Sequence, residues 1–394
     1  MTRRLLVTTE LHFQQYNGQV FTDIAFPYEY WSEYLDVFAE VNVVARVRDI
    51  EKPPENLIRA DGKGVSFTGL PDYYRPWQFA SVAPCVFMRC FRAVRGSDYI
   101  LLRMGNVATC VWLCAKVLRK AHAMELLGDP FEATIQARQA GSRVLDWFFA
   151  KVIHSMNVLQ TRGACCASYV CKYLQERYPT KHPDREFVFS DVLLSEGLIG
   201  LPRTQDDLRL RGPVIVSVGR LMPEKGYRTL IESADRLRNL REDNWQIRII
   251  GGGSEMKSLQ ELILSRGLQE RVKLAGVVKW GRALFELLDE ARLFVLPSLT
   301  EGMPRALIEA MARGLPAVGS KVGGTSDLLD EENLVPPGDA DMLAERIHAV
   351  LDDIPRLERM STVNFEKAMA YMPEKIRERK QLFWNNITQL SGVK

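Results

Sequence analysis

The chain has 394 residues, of which 46% are hydrophobic and 26% charged, and its formal net charge is +3. That length exceeds one ordinary core and suits two domains of roughly 150–200 residues each. The near-balanced charge, without a long basic run or an aromatic–basic alternation, argues against a nucleic-acid partner, and no apolar stretch reaches the ~18 residues of a membrane span.

Taken in order, the elements alternate. "MTRRLLVTTE" has a short apolar run broken by Thr8, Thr9 and Glu10, which reads as a first strand and not as a signal peptide. Short β-branched or apolar runs predict strands over 3–10, 42–47, 99–104, 122–128 and 156–161, with helices over 26–41 and 164–178. The second half repeats the scheme. Strands are expected over 213–219, 245–253, 271–278, 292–298 and 315–320, with helices from Gly226 to Leu240, from the 251–253 glycines to Gly267, and over "MPRALIEAMARG". Strands separated by longer helices imply βαβ units and parallel sheets with right-handed crossovers. The expected division is an N-terminal domain over 1–200, a linker over 201–212 and a second domain over 213–372. A C-terminal helix over 373–394 then packs back on the first domain. Two doubly wound sheets meeting at a hinge leave a cleft at the carboxyl ends of their strands, where ligands bind in such folds.

All seven cysteines, Cys85, Cys90, Cys110, Cys114, Cys165, Cys166 and Cys171, fall in the first half, with no C-x-x-C pair. Reduced, mostly buried thiols in a cytosolic protein are expected.

Three stretches carry chemistry. In "SVGRLMPEKGYRTLI" a strand ends ahead of Arg220 and Lys225. These are either a solvated loop or two cations holding a polyphosphate, with no Walker A pattern. In "IIGGGSEMKSL" three glycines follow a strand. Either a tight turn needs them, or Gly252 and its neighbours bring backbone amides to a phosphate or sugar. In "LPSLTEGMPRALIEAMARG" a helix starts between Glu301 and Glu309. Pro304 fits its first turn, and the amides around Gly302 and Met303 make an anion site there. Either Glu301 is a solvated acid complementing the helix dipole and Glu309 an exposed helix residue, or the two acids stand at different depths along a phosphate pocket, as the two hydroxyl-bearing ends of a nucleoside diphosphate sugar require. The histidines form no constellation, and no D-x-D element stands where a metal-dependent transferase needs one.

"VGRLMPEKG", "GGGSE", "LPSLTEGMPRALIEAMARGLPAVGSKVGG" and "LVPPGDADMLAERI" resemble, in order and spacing, the C-terminal half of the family 4 retaining glycosyltransferases, over about Pro213 to Leu351. The resemblance implies an α/β chain of GT-B architecture, two Rossmann-like doubly wound parallel-sheet domains facing across a cleft. It implies that Arg220 and Lys225 bind the donor diphosphate. Glu301, the first acid of an E-x7-E motif, contacts sugar hydroxyls, and Glu309 holds the ribose. Gly302, Met303 and Pro304 face the diphosphate and sugar, and Val278 meets the base.

The first half resembles the family less closely. "YNGQVFTD" stands in place of the glycine-rich loop, so Gly18 would approach the diphosphate. "MELLGDP" stands where the family has a histidine, leaving Gly128 and Asp129. Asp129 is the expected catalytic group of this domain beside Glu301, Arg220 and Lys225, with Arg103, Glu125 and Asp129 on the acceptor side. The implied activity is metal-independent, cofactor-free retaining transfer of a sugar from a nucleotide sugar donor to a hydroxyl-bearing acceptor (a sugar, a lipid-linked sugar or a small molecule). Epimerase, phosphorylase and non-catalytic nucleotide-sugar-binding readings remain as alternatives. A cytoplasmic location is expected. Peripheral membrane contact stays open: Arg89, Arg92 and Arg95 in "RCFRAVRG" either meet an anionic membrane or line a solvated helix face.

Overall fold

The computed structural model describes residues 3–390 apart from 24–25, 53–56, 75, 130, 132–142, 191 and 193. Pro130 of the "MELLGDP" run, Arg75 and residues 391–394 therefore lie outside the described residues. The N-terminal half runs β1 (Arg4–Tyr16), β2 (Gln19–Thr22), α1 (Tyr28–Ser32), β3 (Glu40–Asp49), β4 (Ile58–Arg59), β5 (Val65–Leu70), α2 (Pro76–Arg95), β6 (Tyr99–Arg103), α3 (Asn106–Val117), β7 (Ala123–Leu126), α4 (Arg143–Arg162), β8 (Ala167–Tyr169), α5 (Lys172–Arg177) and β9 (Glu186–Val188). Its nine strands form one sheet in which β5, β3, β1, β6, β7, β8 and β9 lie side by side and parallel. β2 and β4 extend β1 as an antiparallel ribbon.

The second half runs α6 (Gln205–Leu210), β10 (Val214–Val218), α7 (Tyr227–Leu240), β11 (Gln246–Ile250), α8 (Met256–Ser265), β12 (Val272–Gly276), α9 (Arg282–Glu290), β13 (Leu293–Leu296), α10 (Arg305–Ala312), β14 (Ala317–Ser320), α11 (Thr325–Leu328), β15 (Leu334–Val335), α12 (Ala340–Leu351), α13 (Ile354–Ala368) and α14 (Pro373–Leu390). Its sheet has the order β12-β11-β10-β13-β14-β15, parallel throughout. The central strand β13 is buried at all four positions, as a sheet covered by helices on both faces requires.

Three expected elements differ. Residues 156–161 are not a strand but the end of α4. Asn157, Gln160 and Thr161 are buried there while Leu159 is exposed, a helical period hidden in an apolar-looking hexapeptide. The helix expected over 26–41 shrinks to α1 and a following 3-10 turn. Trp31, Tyr34 and Phe38 anchor that segment under the sheet, and the β-branched run from Val41 joins β3. The helix expected over 164–178 is only the short α5, because residues 167–169 form β8, wholly buried between β7 and β9.

The chain crosses between the halves twice. Residues 189–203 carry it over, and after Met369–Tyr371 it returns as α14. Ile376, Phe383, Trp384 and Ile387 of α14 join the core that contains Leu5, Val7 and Val41, and Lys380 Nζ bonds Glu33 at 2.8 Å. The seven cysteines are all free thiols, five of them buried. Among the described residues no helix is long and apolar enough to cross a membrane.

Candidate active site

The loop after β10 and the segment after β13 press together. Gly226 adopts a left-handed φ of 65°, and a Cβ there would fall 2.0 Å from the Pro297 carbonyl oxygen, so only glycine fits. The Leu299 amide donates to the Glu224 carbonyl at 2.8 Å and closes the junction. This contact brings Lys225 to Glu301: Nζ lies 2.6 Å from Oε1, and Ser298 Oγ donates to the same oxygen at 2.7 Å. The Glu301 side chain is only 7% exposed. It is therefore not an open acid reaching into the cleft but a buried one that aims a lysine. Among the described residues its Oε2 carries no further bond, and the lysine retains two N–H groups for another anion. Arg220 is held loosely, 3.8 Å from Glu224 and 75% exposed.

α10 begins beside this pair. Pro304 is its N-cap, one position earlier than the first-turn placement expected from sequence, and no side chain caps the helix. The first amides of a helix lack intrahelical partners and attract anions. Glu309 lies on the same helix and is buried. Trp280 Nε1 at 3.1 Å and Arg305 Nε at 2.9 Å both donate to its Oε1, which fixes the carboxylate's direction. Trp280 is two residues beyond Val278, a half-buried side chain packed on the same core. Met303 packs against the cores of both halves and touches the Tyr371 hydroxyl through its sulfur at 3.7 Å.

Gly302 marks where the halves meet. A Cβ there would sit 2.7 Å from the Leu127 carbonyl oxygen and 3.7 Å from Gly128 Cα. Leu127 follows the carboxyl end of β7 and Gly302 follows that of β13, so the strand ends face each other as the expected cleft requires. A second bridge joins the Lys172 amide to Asp327 Oδ2 at 2.5 Å.

Four expected placements need correction. Asp129 faces inward: it accepts from the Tyr178 hydroxyl at 2.8 Å and the Phe131 amide at 2.9 Å, pairs with Arg177 at 2.7 Å, and its side chain is 2% exposed. Such a buried carboxylate, already paired with Arg177, is an anchor for the loop, not a group offered to substrate. Arg103 and Glu125 are a buried pair at 2.5 Å. The Arg103 guanidinium also bonds Tyr30 and Tyr34 and lies about 5 Å from the Phe26 and Trp31 rings. Burial alone would lower the Arg103 pKa. The Glu125 carboxylate and the two phenols outweigh it and raise the pKa. The pair fastens α1 to the sheet instead of lining the cleft. Gly18 sits at the tip of the β1–β2 hairpin with φ 75° after Asn17 at φ 47°. The turn itself accounts for this glycine.

The glycine run after β11 also has a packing cause. Cβ atoms at Gly251 and Gly253 would collide with the Gly219 and Leu221 carbonyl oxygens, at 1.8 and 2.3 Å, whereas at Gly252 the nearest atom belongs to the Val277 side chain.

One constellation was missed by the sequence reading. His12 Nδ1 meets Asp72 Oδ1 at 2.5 Å, and the His12 ring stacks on the exposed Tyr74 at 4.3 Å. β1 overruns its pairing with β6, which ends at Val7, through a shift in register between Thr8 and His12. His12 consequently stands beyond the last residue paired with β6, in the stretch of β1 that only β3 still accompanies, where it faces Arg46. Nothing local in sequence links residues 60 positions apart.

Residues 203–366 match the family model described as Glycosyl transferases group 1. Protein CapJ of Staphylococcus aureus is 25% identical over 357 residues, covering 88% of this chain and 85% of that protein. The amylovoran biosynthesis glycosyltransferase AmsK of Erwinia amylovora is 37% identical over 160 residues, but that match spans only 37% of this chain and 39% of AmsK. Among solved structures, HepE of Anabaena in complex with UDP superposes with a TM-score of 0.66 at 16% identity, over 98% of this chain and 100% of that one. At that identity the likeness concerns the fold. The fold is that of the GT-B glycosyltransferases, and its second half carries a glycosyl transferases group 1 domain. The matched span, residues 203–366, holds Arg220, Lys225, Glu301 and Glu309.

Proposed function

We propose that the protein is a retaining, metal-independent glycosyltransferase that moves a sugar from a nucleoside diphosphate sugar to an acceptor hydroxyl in glycan biosynthesis. One observation carries the reading: Lys225 is aimed by Glu301 and Ser298 beside the uncapped start of α10, with the buried Glu309 farther along that helix. A diphosphate at this helix start meets Lys225, Arg220 and the α10 amides. The free oxygen of Glu301 then accepts from a sugar hydroxyl, and that of Glu309 from the ribose. As the bond between the anomeric carbon and phosphate lengthens, negative charge grows on the diphosphate, where these fixed donors oppose it. The acceptor hydroxyl attacks from the face the diphosphate leaves, and a diphosphate oxygen takes its proton.

UDP in the HepE complex supports a nucleotide donor, and the amylovoran biosynthesis named for AmsK supports a polysaccharide product. On the acceptor side the reading rests on His12. With Nδ1–H donated to Asp72, its Nε2 is left to accept from a second, non-reacting hydroxyl of the acceptor and so orient it.

The test is to incubate the purified chain with a panel of nucleotide sugars and hydroxyl acceptors and to read the product's anomeric configuration by NMR. Retention is expected, with an undiminished rate in excess chelator. Inversion overturns the front-face route. A new monosaccharide formed without acceptor would make it an epimerase, dependence on added phosphate a phosphorylase, and bound nucleotide with no donor consumed a binding subunit.

A further inference from the structure

Two domains joined by short chain crossings turn against each other unless a large apolar interface or a specific contact holds them. The bond between Asp327 and Lys172 is such a contact, and each partner is fixed to the cleft on its own side. In the second half, the Gly324 amide donates to the Gly302 carbonyl at 2.7 Å. A Cβ at Gly323 would fall 1.8 Å from the Glu301 carbonyl oxygen. The start of α11 is thus pressed onto the segment that carries Glu301 and Gly302, and Asp327 moves with that segment. In the first half, Lys172 opens α5 just after β8. The Val170 amide donates to the Leu126 carbonyl at 3.1 Å and ties the end of β8 to that of β7. Leu127, the next residue of that strand end, is the one that meets Gly302.

Asp327 serves nothing in its own half. Among the described residues its side chain makes one hydrogen bond, in which Oδ2 accepts from the Lys172 amide at 2.5 Å, 155 positions away. Cys171, the N-cap of α5, supplies no side-chain cap, so the acid from the other half takes that place. Burial raises the Asp327 pKa, and Glu176 of α5 adds to it, while the amide and ammonium of Lys172 oppose them. Burial together with the Asp327 carboxylate pushes the Tyr371 phenol up to about 12. Tyr371 belongs to the second crossing between the halves, and its hydroxyl touches the Met303 sulfur at 3.7 Å. The bond therefore lies beside a crossing. A small displacement there becomes a larger one at the mouth of the cleft.

We propose that Asp327 is a positioning residue for the transfer step: by bonding the Lys172 amide it acts as a stop that sets the angle at which the two halves face each other. The assignment rests on the function proposed above, with the donor at the start of α10 and the acceptor on the first half. Transfer then needs a hydroxyl held by one half to come within reach of an anomeric carbon held by the other, and an error of about 1 Å costs about a hundredfold in rate. Asp327 touches neither substrate. It fixes the separation between them through α11 and the Glu301–Gly302 segment on one side and through α5 and the ends of β7 and β8 on the other.

Asp327→Ala and Asp327→Asn in the full chain test the stop, since the asparagine keeps an oxygen that can accept from the Lys172 amide. Small-angle scattering of the ligand-free protein should give a larger radius of gyration for Asp327→Ala than for the wild type. Its kcat should fall about 10–100-fold, the range for one hydrogen bond to a charged group, while nucleotide affinity by isothermal titration holds. Asp327→Asn should restore most of both. In the wild type, the Lys172 amide should exchange its hydrogen slowly, a measurement that needs no variant. Free exchange at Lys172, or an unchanged radius in Asp327→Ala, overturns the proposal. So does an asparagine variant as impaired as the alanine one. Nucleotide affinity lost in step with kcat would place Asp327 at the donor site, and a lowered unfolding midpoint with unchanged kcat would make it a plain helix cap; either result overturns the stop. The scattering and exchange arms need no donor. A wild type that consumes no nucleotide sugar would therefore end the proposed function while these two arms still judge the contact.

Discussion

At the scale of single residues, the site is organised by what already holds each charge. Lys225 is oriented by a buried carboxylate, so Lys225→Ala removes the cation proposed to meet the diphosphate and leaves Glu301 buried without it. Turnover should fall about 10²–10³-fold, the cost of losing one preorganised donor; a near-wild-type rate would rule out the diphosphate assignment. Glu309→Ala removes the partner of Trp280 and Arg305 and should mainly weaken nucleotide affinity. Unchanged affinity by isothermal titration would dismiss its ribose role. Asp129→Ala should behave oppositely, lowering unfolding free energy by about 1–3 kcal/mol through loss of the buried bonds from Tyr178 and Phe131 and the ion pair with Arg177, while the folded protein keeps its turnover. A variant with an unchanged urea midpoint but no activity would return Asp129 to catalysis. His122 gives a pH prediction. Burial lowers its pKa to about 4, while its Nε2 bonds the Gln160 carbonyl at 2.9 Å. Above pH 6.5 the ring is neutral folded and unfolded. As pH falls from 6.5 toward 4 the unfolded chain takes up a proton that the folded one refuses, so stability declines, by at most about 3 kcal/mol at 1.36 kcal/mol per unit. A His122→Gln variant should lose that slope in pH-dependent urea titrations.

At the scale of elements, the second half was legible throughout and the first only in part, where β1, β3, β6 and β7 stand in the runs expected for strands. β10, β11, β13 and β14 are short apolar runs between amphipathic helices, each bounded by glycine or proline, and local pattern sufficed to place them. Glu301, Glu309 and Lys225 were legible for the same reason, since each stands at a fixed offset from a strand end or helix start. In the first half, residues 156–161 and 26–41 misled because burial there is decided by partners far along the chain. Thr109, for instance, bonds Gln160, and Trp384 packs on Tyr34. Arg103 and Asp129 were found as strand-end residues, but whether a strand-end side chain turns outward or inward depends on what fills the space beside it. Aromatic rings claimed Arg103, and Tyr178 with Arg177 claimed Asp129. The meeting of α10 with the β7 loop belongs to this scale too. Gly302→Ala would put a methyl 2.7 Å from the Leu127 carbonyl, so the strand ends must separate by several tenths of an ångström. Turnover should drop while nucleotide affinity, set within the second half, holds. Loss of both in equal measure would show that Gly302 serves the nucleotide directly.

At the scale of the whole molecule, a ligand that binds only the folded chain raises its stability by mass action, about 2.7 kcal/mol at a hundred times its Kd. A nucleoside diphosphate should therefore raise the thermal midpoint of the wild type and raise it less in Glu309→Ala. The absence of any shift with every nucleotide tried would remove the donor assignment. The return of α14 has an effect of another kind, on how the molecule comes into being. Lys380 and Glu33 stand 347 positions apart, and the apolar face that Phe383 and Trp384 cover is built mostly from the first 65 residues. During synthesis, at ~5–20 residues per second, that face is made early and waits many seconds for its cover. The second half, whose core is drawn mainly from its own neighbouring segments, has no such wait. The C-terminal sheet should close while the N-terminal one is still open on one side, and the interval is when the nascent chain depends most on a chaperone.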